Sequence, residues 1–256
     1  MKPADLCLRA LSRYQRTVAA AFVRRPVEMR VTVPLISFSF DDFPKSAFWT
    51  GGAILKRYGL LGTYYASLGL MGTSAPTGRI FCAEDLKPLL KQGHELGCHT
   101  FGHCDAWETR PRDFEESIIE NRVALRKLLP GIEFKTLSYP ILCPRPSTKR
   151  RVAKHFICCR GGGQTFNRGT TDLNYVRGYF IEKSRGNFGL IQEIIHNNRE
   201  ARGWLVFATH DVSQEPTPYG CTPEYFEKIV RSSLDSGARI MPVAQACQAI
   251  RGGDGA

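Results

Sequence analysis

The sequence predicts an α/β protein whose mainly parallel sheet closes, or nearly closes, into a barrel. Short apolar runs alternate with helix-period segments along the whole chain, a β-α-β-α rhythm that calls for a parallel sheet covered by helices. The 256 residues are enough to bury one full core. About seven or eight strands are readable, and a barrel is the natural closure for that number. An apolar content of 43%, with aromatics at 11%, excludes a disordered chain.

Residues 1–30 form a basic leader, expected to be a helix packed on the body. It carries Lys2, Arg9, Arg13, Arg16, Arg24, Arg25 and Arg30 against Asp5 and Glu28, nearly half of the net charge of +11. Such a leader also suits peripheral contact with an anionic membrane surface. The main folded domain is expected over residues 31–250, with 251–256 as a flexible tail. Strands are predicted at Leu35–Phe40, Thr63–Ala66, His94–Cys98, Phe134–Tyr139, Phe156–Cys159, Tyr175–Ile181, Trp204–Ala208 and Arg239–Pro242. Residues 113–129 place Phe114, Ile118, Leu125 and Leu128 at helical spacings, and Pro130-Gly131 ends that helix. Further helices are predicted over 49–58, 84–92, 147–154, 187–198 and 222–236, the last with Thr222 as N-cap and Gly237 as its stop. Ser213–Pro223 reads as a surface loop.

The apolar stretch Val18–Val23 is too short to span a membrane or to serve as a secretory signal, so a cytoplasmic location is expected. Nine cysteines, an odd number with no C-x-x-C, fit buried reduced thiols rather than a disulfide framework or a cysteine zinc site. The basic leader lacks a recognition module and interleaved stacking aromatics, so no nucleic acid partner is expected.

Three polar clusters follow apolar runs. Ser39-Phe40-Asp41-Asp42 ends the first strand, His99-Thr100-Phe101-Gly102-His103 follows Glu95–Cys98, and Thr209-His210-Asp211 follows Trp204–Ala208. At the C-terminal ends of parallel strands, all three would share one barrel mouth. His99 and His103, four apart, suit one side of a helical turn; a carboxylate from another strand, Asp42, completes three ligands for a divalent ion and leaves an open position. Zinc suits nitrogen and oxygen donors at about 2.0–2.2 Å, and other nitrogen-favouring divalent ions fit as well. Adjacent residues of an extended chain point to opposite sides, so one acid can bind the ion while the other serves as base. His210 is the histidine suited to protonate an amine leaving group.

Together these clusters resemble the polysaccharide deacetylases of the NodB-homology class, the family-four carbohydrate esterases. Ser39-Phe40-Asp41-Asp42 matches the T/S-F-D-D motif, His99–His103 matches H-S/T-x-x-H, and Thr209-His210 matches the later L/T-x-H element. The resemblance covers residues 34–245 and implies a distorted (β/α)7-type barrel. It also implies Asp41 as general base, Asp42, His99 and His103 as metal ligands, and His210 as general acid. The backbone N–H of Tyr139, in Tyr139-Pro140, becomes the implied oxyanion donor. The implied substrate is a carbohydrate, and the implied reaction is removal of an N-acetyl group from an amino sugar in a polysaccharide, oligosaccharide or sugar-lipid.

Two departures stand out. Ser138 occupies the place of the family's third-motif arginine, leaving Arg145, Arg160 or Arg177 to supply that charge. The D-x-x-D-W motif has no clear counterpart, and Asp172 is the candidate partner for His210. These losses keep open a metal-dependent amidase acting on a non-sugar amide or cyclic imide, and a non-catalytic glycan-binding module. Two other stretches imitate known motifs. His94-Glu95 misses the zincin spacing by one residue, and Gly161-Gly162-Gly163 lacks the lysine and frame of a phosphate loop, which makes it a mobile loop beside the cleft.

Overall fold

The computed structural model describes residues 3–141 and 143–252. Helix α1 (Pro3–Ala21) precedes the strands β1 (Pro26–Glu28) and β2 (Leu35–Phe40). The chain continues through α2 (Ala53–Arg57), β3 (Thr63–Ala66), the small hairpin β4 (Ser74–Ala75) and β5 (Gly78–Arg79), α3 (Ala83–Lys91) and β6 (Glu95–Cys98). Next come α4 (Pro111–Leu128), β7 (Thr136–Ser138), α5 (Pro146–Val152), β8 (Cys158–Arg160), β9 (Thr170–Asp172) and β10 (Gly178–Phe180). The last elements are α6 (Gly189–Glu200), β11 (Trp204–Thr209), α7 (Pro223–Asp235), β12 (Arg239–Ile240) and α8 (Val243–Gly252).

The parallel sheet runs in the order β10-β11-β2-β3-β6-β7-β8. β12 wedges against the first two residues of β2, while β3 pairs only with the last two, so β2 forks between neighbours. The ring closes at one point: Arg160 bridges Val176, with Gly161 N–H donating to the Val176 carbonyl and Val176 N–H to the Cys159 carbonyl. This is the distorted barrel expected from the sequence, with β12 as the irregular member.

Alternation along β2 decides what lies on each side of the sheet. Phe38 and Phe40 pack outward on Phe226 of α7. Ser37 and Ser39 face the opposite way, where Ser37 accepts from the Trp204 indole and Ser39 donates to the Phe207 carbonyl. Small residues leave room inside the ring for large polar side chains, among them Arg160, which is fully buried. A Cβ on Gly178 would stand 3.2 Å from the Arg160 Nη1.

β2 and β3 occupy the predicted spans; β6, β7, β10 and β12 are shorter than predicted, β11 runs one residue further to Thr209, and β8 is shifted onto Cys158–Arg160. The antiparallel pair β1-β9 and the hairpin β4-β5 were outside the expectation: two or three residues carry too little pattern to register. Residues 1–30 contain α1 and β1. At the other end, residues 251–252 finish α8, and the rest of the expected tail lies outside the described residues. Thr222 caps α7 by accepting from the Tyr225 N–H. Cys82, Cys98, Cys104, Cys143, Cys158, Cys159, Cys221 and Cys247 form no disulfide, and among the described residues no helix is long and apolar enough to cross a membrane.

Candidate active site

The C-terminal strand ends surround a cavity of about 1280 Å³. It is lined by Asp41 and Asp42 after β2, His99 and His103 after β6, Tyr139 after β7, Gly162 and Gly163 after β8, Glu182 after β10, and His210 after β11. All three sequence clusters meet there.

Asp42 turns into the cavity by leaving the extended conformation. Its φ is +58°, and Phe43 follows at +52°. His99 and His103 do not sit on a helical turn as their spacing suggested. The loop between them is irregular, with Thr100 at φ +61° and His103 at φ +53°. Left-handed non-glycine residues are costly, and their concentration in these loops marks conformations held by the surroundings. Thr100 contributes by accepting from the Cys104 N–H.

The three ligand candidates converge. Asp42 Oδ1 lies 3.4 Å from His99 Nε2 and 3.2 Å from His103 Nε2, and one donor atom from each residue lies within 4.8 Å of the others. Asp42 Oδ1 is buried without a hydrogen-bond partner, an oxygen facing two imidazole nitrogens. That arrangement fits a divalent cation with nitrogen and oxygen donors. The surrounding bonds fit as well. His99 Nδ1 lies 2.8 Å from the Ser138 carbonyl, which only accepts, so the proton sits on Nδ1 and Nε2 is left to ligate. Thr77 donates to the other Asp42 oxygen at 2.9 Å.

The buried base candidate has its own counter-ion. Arg160 Nη2 contacts both Asp41 Oδ1 and Ser138 Oγ. Arg160 and Ser138 are register partners across β7 and β8, so the charge missing from position 138 is supplied from the neighbouring strand. The guanidinium is held between the rings of Tyr65 and Phe180, at 5.4 and 5.3 Å from their centroids. Burial opposes ionisation of Asp41, but Arg160 first, then His99 and His210, outweigh it and hold the carboxyl below its usual range. Of the three arginines considered from sequence, Arg160 makes the contact.

His210 Nδ1 lies 3.1 Å from the Tyr219 carbonyl, so Nδ1 carries the proton and Nε2 is the nitrogen left for chemistry. The loop bearing Tyr219 is tied down by Asp211, which accepts from both the N–H and the hydroxyl of Thr217.

Three expectations need correction. Asp172 does not serve His210; it pairs with Lys149 at 2.8 Å and accepts from the N–H groups of Arg25 and Asn174. Tyr139 lines the cavity, but its N–H already donates to the Arg160 carbonyl at 2.9 Å and is not free for an oxyanion. Pro140 is absent from the cavity lining; its carbonyl accepts from the Ala106 N–H. Glu182 was missed. It reaches the cavity from the end of β10, one carboxyl oxygen is buried without a partner, and burial raises its pKa. Its only signal in the sequence is its place just after a strand.

Among known proteins, the family model described as polysaccharide deacetylase matches residues 29–156, half of the chain. A search of the curated proteins finds no match. Among solved structures, a family 4 acetyl xylan esterase from Clostridium thermocellum, in complex with a cobalt ion, is 21% identical with a TM-score of 0.59, covering 84% of this chain and 90% of its own. The chitin deacetylase of the fungal pathogen Colletotrichum lindemuthianum is 16% identical with a TM-score of 0.59, over 85% and 89%. A family pseudoenzyme from Bacillus anthracis is 8% identical with a TM-score of 0.56, over 84% of this chain and 66% of its own. Likeness at these identities establishes a shared barrel.

Proposed function

Because the chain belongs to the polysaccharide deacetylase family, we propose that it is a metal-dependent carbohydrate deacetylase that releases acetate from an N-acetylated amino sugar. The observation that carries this reading is the unpartnered Asp42 oxygen facing His99 and His103, beside an Asp41 kept ionised by Arg160. Asp42, His99 and His103 would hold the ion, with zinc the first candidate for this donor set. A bound divalent ion supplies Lewis acidity, polarising the acyl carbonyl and acidifying the attacking water.

The protein's own groups handle the protons. Asp41 accepts one from the attacking water, and Arg160 fixes the direction in which its carboxylate points. His210 acts as the imidazolium: its Nδ1–H stays on the Tyr219 carbonyl while its Nε2–H passes to the departing amine, leaving the neutral ring. The products are acetate and a free amino sugar.

Acetate release from N-acetylglucosamine oligomers, measured with metal content before and after chelation, tests the reading. Turnover should vanish with the metal and return on adding zinc. Asp41→Asn should keep the metal and lower kcat by a factor of about 10²–10⁴. Near-normal turnover by Asp41→Asn with its metal in place would remove Asp41 from the role of base. Acetate from none of the sugars, with release from small amides or imides, would shift the reading to a non-sugar amidase.

A further inference from the structure

Helix α1, with Phe22 one residue past its end, carries an apolar stripe that packing leaves largely outside, Val18 alone being half-buried. Leu11, Tyr14, Val18 and Phe22 recur at intervals of three and four, and at 100° per residue they fall within about 80° of one another. Leu11 is 49% exposed, Tyr14 60% and Phe22 57%. Arg13 and Arg16, both exposed, stand on the side across from the stripe, Arg16 also reaching the cavity lining. The third side seats the helix: Ala19 is fully buried, and Ser12 and Gln15 line the catalytic cavity.

The helix is not free to roll its stripe inward. Buried Lys149 donates to the carbonyls of Ala19 and Phe22 while paired with Asp172, and Asn174 donates to the Val23 carbonyl. A helix on a globular body ordinarily turns its apolar side to the core. Here the stripe instead meets the rim of the mouth. Tyr14 packs edge-on against Trp107, with ring centroids 6.1 Å apart, and Ile141 (60% exposed) and Tyr219 (44%) line the cavity itself.

We propose that this face docks on an anionic bilayer, with the stripe of α1 at the headgroup boundary, and that the sugar entering the cavity is carried on a lipid. The substrate half of this proposal rests on the deacetylase reading; the docking half does not. An apolar stripe with arginines on the opposite, polar side is the composition of a helix that lies in the membrane interface. The net charge of +11 favours an anionic surface and disfavours a second copy of the same chain. At about 1280 Å³ the cavity exceeds the usual range for a small ligand, and Leu70, Ala75, Pro76 and Phe180 give it apolar wall that a sugar alone does not need.

Flotation of the full-length chain with vesicles tests the docking half. The protein should float with phosphatidylcholine vesicles containing phosphatidylglycerol, and far less with phosphatidylcholine alone. Arg13→Gln should lower partitioning about fivefold, and Leu11→Ser/Phe22→Ser by at least about tenfold. Both variants should keep the wild-type circular dichroism and the wild-type turnover of a soluble N-acetyl oligosaccharide. Wild-type protein left unfloated, or a serine double variant that floats as well as wild type, overturns docking. A dimer in sedimentation that the double variant dissociates, without flotation, overturns it too. For the substrate half, wild-type kcat/KM for a vesicle-borne acylated amino sugar should exceed that for the free sugar at least tenfold, and the double variant should lose the advantage. Equal values overturn that half. Acetate release without flotation defeats docking alone; flotation with no acetate from either substrate defeats the deacetylase reading and, with it, the lipid-carried substrate.

Discussion

Arg160 and Asp41 face each other with exposures of 0% and 1%, so each is the other's main compensation for lost water. Removing one partner from such a pair leaves a buried charge and costs about 3–5 kcal/mol. Arg160→Ala should therefore lower unfolding stability by that amount in urea titrations. Adding Asp41→Asn to it should restore part of the loss, because the stranded charge is gone. Asp41, the proposed base, and Asp42, His99 and His103, the proposed ligands, were legible in the sequence, since short motifs bring them to strand ends. Arg160 was not singled out, because a contact across register partners becomes visible only once β7 and β8 are aligned. Asp172 misled for a related reason: an acid near the chain's third quarter carries no mark of which end of the barrel it serves.

Helices α4 and α5 are joined through one acid. Glu115 of α4 contacts Arg151 of α5 at 2.7 Å, and Lys154 and His155 just beyond it at 2.7 and 2.9 Å. Burial opposes its charge, but Lys154, His155 and Arg151 together pull its pKa down to about 2. An acid whose folded pKa is depressed gives stability that is fully present above its unfolded value, near 4.3, and is lost as pH falls through 2. The melting temperature of wild type should drop between about pH 5 and 2 relative to Glu115→Gln, which lacks that window. With solvent screening the difference is about 1 kcal/mol. Long elements such as α4 were readable because their periodicity is sustained, whereas β1 and β9 draw their order from pairing with each other.

Across the whole molecule, one buried amine ties the end of α1 to the body. Lys149 satisfies two carbonyls at the end of the helix and the Asp172 carboxylate, so one side chain links the N-terminal helix, α5 and β9. Lys149→Met should cost about 3–5 kcal/mol by stranding Asp172, and trypsin should then cut at Arg13 and Arg16 before it reaches the barrel. The β/α rhythm foretold the ring but not its seam, which depends on where an irregular stretch happens to meet a strand. That seam is the bridge between Arg160 and Val176. The residue that shuts the hoop is thus the one that holds Asp41, so warming that loosens the hoop there should set that carboxylate free while most of the staves still stand.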